Sequence, residues 1–253
     1  MSRRKGFFES RNPVMTEKAY SQEAYKNDHD GAIQYGETMT VQGAVNKTFL
    51  LTAILLMTAM IGFASPNPIF MWGGAIGGLI VVFIAASNPS RSPMLAPIYA
   101  GLEGFFVGSI SAMYASFMNG IIFQAVTLTI AVLFMMLFVY KAGIIKVTQK
   151  FRAGIVMATG AVLVVYLFSW VLSMFSINVP YLHEGGTIGM VISLVIIGIA
   201  ALNLLLDFDN FEKGEKYNAP SYMEWFSAMG LLITLVWLYV EILRFIAIFS
   251  SSD

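Results

Sequence analysis

Seven long apolar stretches, each nearly free of charge, follow one another along this chain at 46–64, 69–87, 94–117, 121–140, 154–176, 187–209 and 221–249. A helix of about 20 such residues is what the ~30 Å hydrocarbon core of a bilayer demands. In that solvent every backbone polar group must be satisfied internally, which a helix achieves within one segment. The expected fold is all-α: a polytopic membrane protein of seven transmembrane helices. Punctuation agrees, because Ser65-Pro66-Asn67-Pro68, Asn88-Pro89-Ser90, Asn119-Gly120, Asn178-Val179-Pro180 and Asn218-Ala219-Pro220 separate the stretches with residues that start helices or turn chains.

Composition closes off the soluble alternatives. The chain is 57% hydrophobic and 12% charged, against roughly a quarter charged in a soluble domain, and a water-soluble core could not hide so much apolar surface. Fifteen basic and fifteen acidic residues cancel, so charge gives no reason to expect nucleic acid as a partner. Cysteine is absent, which excludes disulfides, thiolate metal sites and cysteine nucleophiles; no cofactor is expected. Residues 1–45 are polar and of mixed charge and read as an unfolded cytoplasmic tail, with 46–253 as the transmembrane domain. The tail lacks the apolar run of a removable signal peptide, so the first span is expected to direct insertion.

Orientation follows from Lys and Arg in the short connections. Lys26 and Lys47, then Arg91, then Lys141, Lys146, Lys150 and Arg152, then Lys213 and Lys216 fall on alternate connections, and the others carry none. Seven crossings with a cytoplasmic N-terminus satisfy all of them, as expected of a multi-pass protein of a plasma membrane. No internal repeat supports an inverted-repeat transporter.

An ionisable side chain in hydrocarbon is costly and is read first as functional. The spans hold Glu103, Asp207, Asp209, Glu241 and Arg244, with Glu224 at a helix entrance. Ala100, Gly104, Gly108 and Ala112 make a smooth stripe at four-residue spacing on the third helix, which marks that helix as central and directs the neighbouring Glu103 into the bundle; the plainer reading of Glu103 is a packing carboxyl. Ser227, Gly230, Thr234, Trp237, Glu241 and Arg244 form an inward stripe on the seventh helix, and Gly189, Ser193, Ala200, Asn203 and Asp207 a matching one on the sixth. Glu241 and Arg244, three apart, can also be a structural pair with Arg244 snorkelling outward. Glu212, Lys213, Glu215 and Lys216 read as a solvated loop.

Enzyme readings fail on inventory. His29 and His183 are the only histidines and both fall outside the spans, so a membrane Ser-His protease has no base. His183-Glu184 lacks the second histidine of a zinc helix, and the seventh span has no lysine for a retinal Schiff base. Asn46-Lys47-Thr48 matches a glycosylation acceptor but abuts the membrane on the cytoplasmic side, and is read as chance.

The segments LEGFFVGSIS (102–111), LLLDFDNFEK (204–213) and ILRFIAIFSSSD (242–253) resemble the Bax inhibitor-1 family, in particular its bacterial branch. The resemblance implies a seven-helix fold around a central helix, in a bacterial inner membrane. For some members it implies a pH-sensitive calcium leak channel governed by two aspartates, one on each of the last two helices. Asp207 matches the sixth-helix aspartate, with Asp209 as the alternative; a gap-free match of the ILRF ending puts Thr234 at the seventh-helix position. Counting from a turn near 218–220 places Asp207 and Thr234 at similar depth, with Glu241 about 10 Å farther along. The expected function is a proton-sensitive cation leak, for calcium, with Asp207, Glu241 and Glu103 offering hard oxygen ligands. The alternative is a regulatory protein whose tail binds a membrane-bound partner such as a protease.

Overall fold

A computed structural model describes residues 37–175 and 187–250. The expectations placed on residues 1–36, on Asn178-Val179-Pro180 and on His29 and His183 lie outside the described residues. Among the described residues seven α-helices follow: α1 (Val41–Ala64), α2 (Pro68–Ser87), α3 (Ser92–Phe117) after a short 3-10 turn (Pro89–Arg91), α4 (Ile121–Lys141), α5 (Gln149–Met174), α6 (Thr187–Lys216) and α7 (Tyr222–Ser250). All seven are long and apolar enough to cross a membrane. Among the described residues there is no strand, only an isolated bridge between Thr38 and Pro220.

Local chemistry sets the helix starts. Asn67 accepts the Phe70 amide at 2.9 Å ahead of Pro68, a polar cap followed by a residue that needs no amide partner. Thr40 and Thr148 cap α1 and α5 in the same way, accepting from the Gly43 and Phe151 amides at 2.9 and 3.2 Å. These caps move two starts upstream of expectation. α1 begins at Val41 rather than 46, and α5 at Gln149 rather than 154, which brings Arg152 into the first turn of α5 instead of a loop.

A second correction concerns the end of α6. The charged segment with Glu212, Lys213, Glu215 and Lys216 is helix, not solvated loop. Its charges are used locally: Lys213 meets Asp209 one turn back at 3.1 Å, and Glu212 accepts from Tyr140 at 2.7 Å and Lys141 at 2.9 Å. Glu215 accepts the Val41 amide at 3.1 Å.

The most buried helix of the bundle is α7 rather than α3. Of the residues in its membrane window 61% are buried, against 44% for the window of α3 and 11% for that of α5. α7 packs against α1, α3, α4 and α6, whereas α5 rests chiefly on α6. The small-residue stripe of α3 serves a different contact. Gly104 lies on Leu55 and Thr58 and Gly108 on Ala59 of α1, each so close that a Cβ would collide with backbone. Lipid is as apolar as a leucine side chain, so such close approach is how apolar helices hold together in a membrane.

The segment before α1 is strapped across the turn between α6 and α7. Met39 is buried, with its amide donating to the Ala219 carbonyl at 2.7 Å, and the Ser221 amide donates to Glu37 at 3.0 Å. Glu224, buried in the first turn of α7, accepts both the amide and the hydroxyl of Thr40 at 3.0 Å.

Candidate functional site

A cavity of about 120 Å³ lies among α2, α5, α6 and α7. A water needs roughly 10–15 Å³ of such space, so several fit, or a partly hydrated ion. Val82 comes from α2; Arg152 and Val156 from α5; Asn203, Asp207 and Asn210 from α6; Gly230, Ile233 and Thr234 from α7. The lining is polar because α6 presents Asn203, Asp207 and Asn210 at helical spacing of four and three, one face of one helix.

Asp207 is 5% exposed. Thr234 of α7 lines the same cavity, its hydroxyl donating to the Gly230 carbonyl at 3.3 Å. Oδ2 of Asp207 has no hydrogen-bond partner. A buried acceptor left open costs free energy unless water or a ligand fills it, and the cavity beside it supplies the room. The pairing of Asp207 with Thr234 at equal depth is the arrangement obtained by counting outward from the turn.

Arg152 was read only as a loop cation, yet it is 5% exposed and lines this cavity. Its guanidinium donates to Asn210 Oδ1 at 2.8 Å and to Asp209 Oδ2. It bears electrostatically on Asp207, but these two donors go to the neighbours. Asp209 is therefore held in an ion-pair cluster with Arg152 and Lys213.

Glu241 and Arg244 occupy a separate cluster. Glu241, 3% exposed, accepts from the Tyr166 hydroxyl of α5 and from Trp237 Nε1 at 3.3 Å. Arg244 stands 3.4 Å from Glu241. It does not snorkel outward: it donates inward to the Tyr166 hydroxyl and to Ser193 at 3.1 Å. Glu103 joins neither cluster. It lies over Gly78 of α2, its Oε2 2.7 Å from where a Cβ there would stand. The three acids expected to share one pathway thus occupy three places.

Sequence reasoning missed Arg152, Thr159 and Tyr166. The signal was present, since the three stand seven apart, two helical turns, and so share one face of α5. Thr159 accepts from Asn203 at 2.8 Å.

Residues 12–251, nearly the whole chain, match the family described as Bax inhibitor 1 like. No curated protein matches the sequence. With its seven apolar helices and a match of that extent, the chain belongs to the Bax inhibitor 1 like family and is a multi-pass membrane protein.

Proposed function

We propose that this protein is a pH-sensitive cation leak pathway in a plasma membrane, the bacterial inner membrane, with calcium as the ion and its N-terminus in the cytoplasm. The observation that carries the reading is the open carboxylate oxygen of Asp207, buried beside a cavity large enough for water or an ion. A carboxylate in such a place draws a proton or a cation. Asp207 and the hydroxyl of Thr234 offer hard oxygens of the kind calcium takes, while calcium takes six to eight in a closed site. Among the described residues no three His, Cys, Asp or Glu side chains gather as a metal cluster. The cavity suits an ion in transit more than one in storage, and Arg152 on its wall opposes long residence. Protonation of Asp207 removes the negative oxygen and weakens the site, which makes the leak respond to pH.

Calcium flux into liposomes holding the purified protein tests this. Flux that varies with pH in the parent and no longer varies in Asp207→Asn supports the reading. No flux at any pH, or flux untouched by the substitution, ends it.

A second reading, a regulator whose tail recruits a membrane partner such as a protease, draws on the strap at residues 37–40. That segment fastens the root of the tail to the α6–α7 turn, so a pull on the tail reaches the helices that carry Asp207 and Thr234. Deleting residues 1–36, which spares the strap, separates the two: a leak survives the deletion, and a partner-dependent phenotype does not.

A further inference from the structure

α5 differs from the other six helices in how it is held. Of its buried residues, Arg152, Ile155 and Ser169, two are polar, and much of the rest, including Met157, Leu163, Phe168 and Trp170, is exposed to the surroundings of the bundle. In a bilayer that apolar surface gains nothing from leaving lipid for another helix. What fixes α5 is polar. Arg152 binds Asp209 and Asn210, Thr159 binds Asn203, and Tyr166 binds Glu241 and Arg244. The spacing of seven residues puts these three rungs on one face, spread over roughly 21 Å of helix axis.

The same helix forms one wall of the Asp207 cavity, through Arg152 and Val156. Where a wall is fastened by discrete polar rungs and little apolar packing, loss of a rung frees it without disturbing the core formed by α1, α3 and α7. We propose that α5 is the gate of the cavity, a helix latched to α6 and α7 by the Arg152, Thr159 and Tyr166 rungs, whose release opens the Asp207 site to water. The proposal rests on the cavity being the functional site, and adds which element moves and what holds it shut.

The absence of cysteine gives a direct test. Leu206→Cys places a single thiol on the cavity wall, at a residue that is 5% exposed, and its rate of modification by a small cationic methanethiosulfonate in liposomes reads how open the cavity is. Tyr166→Phe removes the rung farthest from the cavity and alters no lining residue; Thr159→Val removes the middle rung and serves if the first variant does not fold. Either is expected to raise the modification rate about tenfold, the change that goes with losing a hydrogen bond of about 1.4 kcal/mol. An unchanged rate in a folded variant overturns the proposal. A raised rate in a protein that passes no calcium upholds the α5 gate and ends the calcium reading alone.

Discussion

Asp207 and Glu241 are both carboxylates buried to within a few per cent on the last two helices, yet the protein treats them in opposite ways. Glu241 is paired with a charge: its Oε2 takes no hydrogen bond, like Oδ2 of Asp207, but stands 3.4 Å from the Arg244 guanidinium. A cation on its own helix, a phenol from α5 and an indole nitrogen meet it, so most of what burial takes from the charge is returned locally. Asp207 is left open, with one hydroxyl neighbour, a guanidinium that binds others, and a cavity at its side. The difference separates two uses of an acid in a membrane. A compensated acid ties helices together, while an uncompensated one is available to something that comes and goes.

Stability measurements can break this distinction or sharpen it. Glu241→Gln should cost the most, about 3–5 kcal/mol, because it strands the buried charge of Arg244; chemical unfolding in detergent reads it, and a loss below about 1 kcal/mol would mean that the cluster is not a closed ion pair. Tyr166→Phe should come next at about 1.5 kcal/mol in the same assay, since its hydroxyl bridges two charged groups. Thr234→Val should cost about 1 kcal/mol, as one neutral hydroxyl contact is lost. Asp207→Asn should lie within about 0.5 kcal/mol of the parent or stabilise it, because it removes a charge that the fold leaves unmatched. If Asp207→Asn proves as harmful as Glu241→Gln, the two acids are alike and the comparison fails.

Much of this architecture could be read from the chain, for reasons that show where reading stops. The spans were legible because hydrocarbon enforces length and composition together, and the meeting of Asp207 with Thr234 followed because a tight turn at 218–220 fixes relative depth. Arg152 was not legible as a cavity residue. A basic side chain near an interface counts toward orientation, and its partners Asp209 and Asn210 stand 57 and 58 positions away, beyond any local periodicity. The charges after Asp209 looked like loop because hydropathy falls there, whereas α6 continues as helix to Lys216 and uses those charges in ion pairs. α3 looked central since small residues permit close approach; it touches as many helices as α7, but a larger share of α7 is buried.

The strap of Met39 and Thr40 on the α6–α7 turn has a consequence for biosynthesis. Glu224, which completes the entry of α1, is made 184 positions after Thr40, when every other helix has already been synthesised. The first helix thus stays unfinished at its leading end until the last one arrives, and a stalled or shortened polypeptide presents a bare methionine and unmet amides there. The entry of α1 and the start of α7 are thereby closed by one joint, and neither is finished without the other.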